Sequence, residues 1–336
     1  MMIRVGLVGY GLAGAVFHEP LIRACDRLEL AAVLTSREAP SRVRSLGELL
    51  DRCDLVVVAS PNRTHFAIAR KALEAGKHVV VDKPLTVTLK EADALIALAD
   101  ERRLLLSAFH NRRWDGDFLT VRKMLPKLGD VTLFEAQWDR FRPQIKQGWR
   151  EVPEPGGGVF NDLAPHMIDQ MLQLFGMPDA VSADIMAQRA EAAVDDFFDV
   201  SFHYGSRRVA LRCSSLLAAA RPRFAVHGTG GSFVKNGLDP QEAQLKSGRD
   251  PREPSFGIDP TDGLFIAADG RAEPVPTLRG NYLAFYDAVA AAILDGAPPP
   301  VPAREARDGL MLINLARRAS AQGRRLQVPV ASSRAA

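Results

Sequence analysis

Six residues near the start, Gly9-Tyr10-Gly11-Leu12-Ala13-Gly14, follow the apolar run Ile3 to Val8 and precede a helix-like stretch from Ala15 to Asp26. A strand feeding such a turn lets the first two glycines bring backbone close to a pyrophosphate, and the third lets helix and strand pack closely. The helix amino terminus then offers unpaired N–H groups and a partial positive charge to the phosphates. Glycines of an ordinary turn could match the bare string; the flanking strand and helix give it the context of a dinucleotide loop, with Gly9, Gly11, Leu12, Ala13 and Gly14 as candidate contacts. The next strand-like run, Leu28 to Leu34, ends in Thr35-Ser36-Arg37, with no carboxylate until Glu38. An acid at this corner would clasp the ribose 2′-hydroxyl of NAD, whereas Ser36 and Arg37 suit a 2′-phosphate through charge-assisted hydrogen bonds. NADP(H) is therefore favoured over NAD(H), and the competing reading makes Arg37 a solvated loop charge.

In an open parallel sheet, ligands bind beyond the carboxyl ends of the strands. Ser60-Pro61-Asn62 with Thr64 and His65, Asp82-Lys83-Pro84, and His110-Asn111-Arg112-Arg113-Trp114 all follow strand-like runs. Ser60, Pro61, Asn62, His65, Asp82, Lys83, Asn111 and Arg112 thus become candidates for the cofactor crevice. Lys83 carries the sharpest chemistry: an ammonium beside a nicotinamide can hydrogen-bond a substrate hydroxyl and stabilise the alkoxide that develops as hydride leaves. Pro84 would stiffen its backbone, through a cis bond in one form; the bland alternative is a surface Lys-Pro turn. A second cluster, Asn161-Asp162-Leu163-Ala164-Pro165-His166-Met167-Ile168-Asp169, follows Gly156-Gly157-Gly158. Helical spacing puts Asp162, His166 and Asp169 on one face, with Pro165 in a first helical turn. Histidine can accept an alcohol proton near neutral pH, and a neighbouring carboxylate can orient its ring. The plain alternative has Asp162 cap the helix and His166 buried and satisfied.

These groups must be positioned by the rest of a 336-residue chain, 47% hydrophobic and 25% charged, which is long enough for two domains. The net charge of +3, spread among acids, forms neither a nucleic-acid stripe nor a polybasic membrane segment. Cys25, Cys53 and Cys213 are too few and too far apart for a disulfide framework or a metal site, no metal is expected, and no apolar run reaches a membrane span. The chain begins at once with a strand rather than a signal peptide, so a reducing cytoplasm is the expectation. Strands are predicted at Ile3 to Val8, Leu28 to Leu34, Leu55 to Ala59, His78 to Val81 and Leu104 to Ala108, with helices at Ala15 to Asp26, Leu46 to Arg52, His65 to Ala75 and Leu89 to Glu101. This alternation implies parallel strands joined by crossover helices. The segment Arg37 to Asp54 is short for its position, so an element beside the adenine pocket is lost or abbreviated. From about Val131 longer alternating runs follow one another: Val131 to Trp138, Ala180 to Met186, Asp199 to Tyr204, Arg208 to Ser214 and Arg223 to Gly228. They read as an open antiparallel sheet with one face available to another subunit. Asn236 to Arg271 reads as loop or lid, Gly280 to Asp295 and Glu305 to Gln322 as amphipathic helices, and Ala331 to Ala336 as a fraying end.

Taken together, Gly9-x-Gly11-x-x-Gly14, Ser60-Pro61-Asn62-x-Thr64-His65, Asp82-Lys83-Pro84 and Asp162-x-x-x-His166-x-x-Asp169 resemble the glucose–fructose oxidoreductase, inositol dehydrogenase and MocA family over nearly the whole chain. Phe17-His18-x-Pro20-Leu21-Ile22, Asn111-Arg112-Arg113-Trp114-Asp115-x-Asp117-Phe118, Gly148-Trp149-Arg150 and Asp162-Leu163-x-x-His166-x-Ile168-Asp169-Gln170 are similar to its NADP-dependent scyllo-inositol dehydrogenase-like members. The family typically reads Glu-Lys-Pro where this chain has Asp82-Lys83-Pro84, and the Arg37 to Asp54 segment departs from the subgroup.

The resemblance implies an α/β fold: an amino-terminal Rossmann dinucleotide-binding domain, here 1–118, and a carboxy-terminal α/β domain with a large open, mainly antiparallel sheet, here 119–330, whose last helices pack back on the first. It implies homodimers or homotetramers. It implies hydride transfer between the nicotinamide and a secondary alcohol of a cyclic polyol or sugar, with Lys83, Asp162 and His166 as the catalytic and substrate-orienting set, Lys83 and His166 converging on one atom, and with Lys83, Asn111, Trp149, Asp162 and His166 around the substrate. Arg112, Arg113, Arg140, Arg142 and Arg150 could recognise a carboxylate or phosphate, bind cofactor, pair internally or stay solvated. Two other classes stay open: an NAD-dependent glycoside hydrolase working through a transient ketone, and a cofactor-binding sensor without turnover.

Overall fold

The computed structural model describes residues 2–145, 148, 151–153 and 156–329. Trp149, Arg150 and the tail Ala331 to Ala336 lie outside the described residues. The chain divides into two compact units, the first comprising Met1–Leu119, Asp239–Pro260 and Thr277–Leu310, the second Thr120–Leu238, Thr261–Pro276 and Met311–Ala336. The division expected at residue 118 runs along the chain as two continuous stretches; the first unit also takes in two distant segments.

In the first unit, β1 (Ile3–Val8), β2 (Leu28–Leu34), β3 (Arg42–Val43), β4 (Leu55–Val58), β5 (His78–Asp82) and β6 (Leu106–Phe109) form a six-stranded sheet in the order β3-β2-β1-β4-β5-β6. Every pairing is parallel. A parallel sheet is covered on both faces, which is why β4 reads Leu-Val-Val-Val and is wholly buried. The abbreviated element is β3, two residues long. Ser45 accepts the Glu48 N–H at the start of the helix Leu46–Arg52, and Thr88 and Glu91 cap the helix Leu89–Arg102 reciprocally. Gly76, at φ +73°, ends the helix His65–Glu74. Strand β6 starts at Leu106 rather than Leu104, because Leu104 donates to the Ala99 carbonyl as the preceding helix unwinds, and Leu105 donates to His78 Nδ1 at 2.9 Å.

The predicted helix Ala15 to Asp26 is wound in two ways, as wide π-helical turns over Ala13–His18 and an α-helix over Glu19–Ala24. Pro20 supplies the reason: it has no N–H for the carbonyl four residues back, and its ring crowds that carbonyl, so the helix widens just upstream. The Asn236 to Arg271 stretch is more ordered than loop or lid, containing the helix Gln241–Lys246 and the strand β13 described below. Leu245, Phe256, Tyr282, Phe285 and Tyr286 join the first unit's hydrophobic core, the last two from the helix Leu283–Leu294.

The second unit holds a nine-stranded sheet of β7 (Val131–Gln137), β8 (Ala180–Met186), β9 (Phe197–Tyr204), β10 (Arg207–Ser214), β11 (Phe224–Gly228), β12 (Gly231–Lys235), β13 (Gly263–Ala267), β14 (Ala272–Val275) and β15 (Leu326–Gln327), in the order β14-β13-β12-β11-β7-β10-β9-β8-β15. It is antiparallel except where β7 and β10 run parallel. Alternation places Phe198, Val200 and Phe202 of β9 in the core, where Phe198 meets Phe160 of the helix Val159–Phe175 edge-on at 5.3 Å. Arg212 donates to Asp199 at 2.8 Å on one neighbouring strand and to Glu135 on the other. Among the described residues no helix is long and apolar enough to cross a membrane.

A methyl group on Gly6 would meet Leu49 Cδ2 at 2.5 Å and Cys53 Sγ at 2.9 Å. Gly6→Ala is expected to cost about 1 to 3 kcal/mol by overpacking. Leu49→Ala opens the space that methyl needs, so the double variant should unfold in urea at a higher concentration than the two single losses added together predict.

Candidate functional site

The dinucleotide loop is built by three separate steric demands. Gly9 sits at φ +98°, a conformation that side chains rarely adopt, and a Cβ there would lie 2.4 Å from the Ala59 carbonyl oxygen. A Cβ on Gly14 would lie 2.1 Å from the Gly9 carbonyl oxygen. A Cβ on Gly11 would meet nothing within 4 Å, so this glycine faces open space. Two glycines close the turn and the third leaves room where a pyrophosphate approaches, and the residues fit a dinucleotide. Leu12 is exposed beside it. The Gly9 N–H donates to the Leu34 carbonyl at 3.0 Å, which ties the loop to the end of β2. Ser36 and Arg37 follow that end and are both exposed, with the Arg37 backbone N–H on Thr35 Oγ1 at 3.1 Å.

Beyond β4, Ser60 Oγ and Thr64 Oγ1 are 2.6 Å apart, and Pro61 and Asn62 follow in a short turn. His65 is buried with both ring nitrogens facing carbonyl oxygens, Nε2 at 2.8 Å from Ser60 O and Nδ1 at 2.8 Å from Pro84 O. The ring thereby clamps the loop after β4 to the loop after β5, holding these loops in place. In the second loop the Lys83–Pro84 peptide is cis, and the Lys83 N–H donates to Asp82 Oδ1 at 2.7 Å. Behind it His18 is fully buried, its Nδ1 2.6 Å from Tyr286 Oη. Burial pushes His18 down to about 4, against the opposing pull of the Asp82 carboxylate.

Asn111 and Arg112 follow β6 and are buried. The Arg112 guanidinium reaches Asp115 and Tyr282 Oη, both at 3.3 Å, and Glu242. Arg113 donates to Glu305 at 2.7 Å. This is the internal-pairing alternative, favoured because a buried guanidinium needs compensating charge. Around the same turn Asp239 accepts from Gly116 N–H at 2.7 Å and Gln241 N–H at 2.9 Å, and burial, with Asp117 nearby, pushes its carboxyl up to about 6.

In the second unit, Asp162, His166 and Asp169 lie in the helix Val159–Phe175, which starts earlier than expected and leaves Pro165 in its second turn. Asp162 does not cap it. Asp195 does, through Oδ1 on the Phe160 N–H at 2.7 Å and its backbone oxygen on the Val159 N–H at 2.9 Å. Gly158 (φ +87°) admits that carboxylate, since a Cβ there would lie 2.4 Å from Asp195 Oδ2. Asp162 is half-buried and His166 is 8% exposed, its ring centroid 6.4 Å from that of Trp138. Arg140 and Arg223 stand over the same indole, at 5.9 and 4.8 Å.

Residues 3–110 match the family described as oxidoreductase family, NAD-binding Rossmann fold, and residues 122–330 match its C-terminal alpha/beta domain. The chain belongs to this family, that of glucose–fructose oxidoreductase, inositol dehydrogenase and MocA. It is an oxidoreductase with an NAD(P)-binding Rossmann domain. It is 44% identical to the uncharacterized oxidoreductase YdgJ of Escherichia coli, covering 93% of this chain and 95% of that one. It is 37% identical to the scyllo-inositol 2-dehydrogenase (NADP(+)) IolW of Bacillus subtilis, covering 97% and 96%. Among solved structures, a Yersinia pestis protein described as the oxidoreductase YPO2259 superposes with a TM-score of 0.94 at 44% identity, covering 98% of each chain.

Three residues acquire roles that spacing did not reveal: His65 as a clamp, Asp195 as a helix cap, and His18 as the buried neighbour of Asp82. The string Phe17-His18-x-Pro20 held a signal for the last, since a histidine among core positions needs a polar partner.

Gly11→Val is expected to fold as stably as the native chain while losing binding of the reduced NAD(P) cofactor, read as loss of the rise in nicotinamide fluorescence on binding. Gly14→Val should instead lower the unfolding temperature, because its side chain meets backbone. His18 also carries a pH signature: its folded pKa, near 4, lies below its ordinary 6.5, so the unfolded chain takes up the proton first and stability falls as pH drops through that window. In His18→Phe the fall in unfolding free energy between pH 6.5 and pH 4 should shrink by about 3 kcal/mol, measured by urea unfolding at both ends.

Proposed function

We propose that this oxidoreductase is an NADP(H)-dependent dehydrogenase that interconverts a secondary alcohol and a ketone on a cyclic polyol or sugar of the inositol type. The similarity that carries the reading is that to scyllo-inositol 2-dehydrogenase (NADP(+)) IolW, at 37% identity over 97% of this chain. Arg37 and Ser36 at the end of β2 support the 2′-phosphate, and no carboxylate precedes Glu38 there. NADP(H), when bound, exchanges a hydride with the carbinol carbon.

The chain's own residues manage the oxygen. His166 takes the hydroxyl proton as general base, the Lys83 ammonium stabilises the alkoxide by hydrogen bonding and charge, and Asp162 orients a neighbouring hydroxyl or the imidazole. Asn111 and Trp149 belong to the substrate side of this reading. Gly9, Gly11, Leu12, Ala13 and Gly14 hold the pyrophosphate, and Ser60, Pro61, Asn62 and Asp82 line the nicotinamide side. The same reading includes a cytoplasmic setting and a homodimer or homotetramer; the three cysteines are buried and unpaired, as a reducing compartment allows.

A panel of inositols, aldoses, ketoses and sugar acids with NADP and NAD, followed by absorbance of the reduced nicotinamide, tests the proposal. Turnover is expected with scyllo-inositol or a close relative and with NADP preferred. Lys83→Met should lose about 10²-fold or more in kcat and His166→Ala about 10²- to 10⁴-fold, each still binding NADPH. Arg37→Ala should raise KM for NADP and leave that for NAD in place. Sugar release without net change in reduced cofactor, or no turnover across the panel, would overturn it.

A further inference from the structure

The groups behind Lys83 are more polar than the packing of an aromatic core requires. His18 lies 4.3 Å from Phe109 between ring centroids and is sealed from solvent, with Nδ1 2.6 Å from Tyr286 Oη. Its other nitrogen, Nε2, makes no hydrogen bond among the described residues and faces Asp82 Oδ2 at 4.0 Å. The second oxygen of Asp82, Oδ1, holds the Lys83 N–H at 2.7 Å. These residues come from three elements of one unit: the π-helical turns after the dinucleotide loop, the end of β5, and the helix Leu283–Leu294.

The tautomer of His18 follows from its neighbours. Tyr286 is fully buried and its hydroxyl proton needs an acceptor, which Nδ1 provides when it carries a lone pair. The ring proton then sits on Nε2 and points toward a carboxylate. The opposite tautomer would aim a lone pair at that carboxylate in a medium where such repulsion is poorly screened. At 4.0 Å the contact is a dipole–charge attraction rather than a hydrogen bond.

We propose that Tyr286, His18 and Asp82 form a positioning relay for Lys83, in which the tyrosine hydroxyl fixes the histidine tautomer, the Nε2–H holds the Asp82 carboxylate, and the carboxylate holds the backbone N–H of Lys83. The relay rests on the reading of Lys83 as the group that polarises the substrate oxygen, and it acts only through Lys83. It aims the ammonium without touching the reacting atoms, so its loss falls on kcat and leaves cofactor affinity in place. A positioning error of this kind multiplies directly into rate, because the ammonium must meet the oxygen at hydrogen-bond distance.

The experiment uses full-length protein, Tyr286→Phe, His18→Phe and the double variant. Tyr286→Phe is the milder change and keeps the test alive should His18→Phe fold poorly. Each single variant is expected to lower kcat about tenfold with KM and NADPH affinity unchanged, and the double variant to be no slower than the slower single one. The chain has nine lysines, so ¹⁵N-lysine labelling gives a sparse amide spectrum, and the Lys83 amide resonance should move in both single variants while lysines remote from β5 stay in place. His18→Gln, which retains an N–H donor, should recover part of the rate and shift the resonance back toward native. An unmoved Lys83 amide in folded Tyr286→Phe, or additive losses in the double variant, would overturn the relay. The amide spectrum needs no substrate, so a protein inactive on every polyol would sink the proposed activity while the relay is still decided by the resonance.

Discussion

The carbonyl oxygen of Gly9 occupies the space in which a side chain on Gly14 would begin, and the first unit is arranged around that approach. It brings the helix down onto the end of β1. The same glycine lies against the Ala59 backbone beyond β4 and donates to Leu34 at the end of β2. One residue without a side chain thus joins the carboxyl ends of three strands, and the chain leaving each of them carries a candidate ligand group: Gly11 in open space, Arg37 exposed, Ser60 in its turn. The widening of the helix upstream of Pro20 belongs to the same region, since it lies within the π-helical turns that place His18 next to Asp82.

Polar groups, rather than apolar packing alone, fix the loops. His65 spans two carbonyls, Arg112 gathers Asp115, Tyr282 and Glu242, and Arg189 in the second unit holds Asp196 at 2.7 Å and Glu151 at 2.8 Å. Apolar contacts tolerate sliding, whereas a buried ion pair or a ring set between two carbonyls constrains its neighbours more narrowly. Such pairs add little net stability over apolar replacements, but removing one partner leaves a buried charge uncompensated and costs about 3 to 5 kcal/mol. Their concentration in the segments that follow β4, β5 and β6 is consistent with loops that must present side chains at fixed positions.

Much of the first unit was legible because its signals are local. Apolar runs located the five longer strands to within two residues at either end, Gly76 marked a helix stop, and the shortness of Arg37 to Asp54 anticipated a two-residue β3. What depended on distant partners was not legible. Alternation in β7 and β10 looks the same in either direction, so their parallel pairing stayed hidden. Asn236 to Arg271 is rich in Gly, Pro and charge and reads as loop, yet it is held by bonds between Asp239 and Gly116, 123 positions back, and between Gln241 and Tyr282, 41 positions ahead. Lys83, Asp162 and His166 were singled out as candidates by their types and spacing, whereas the partner of His18 lies 268 positions away, beyond any local window.

Asp195 has a further bearing on the helix that carries Asp162 and His166. The first turn of that helix takes its hydrogen-bond acceptor from a residue 35 positions downstream of Phe160, and Arg317, from near the other end of the chain, neutralises the same carboxylate at 3.0 Å. The segment therefore has no amino-terminal cap until Asp195 has been made. On a ribosome it would emerge with its start unsecured, and its first turn would lock once Asp195 arrives, the ion pair with Arg317 being added later.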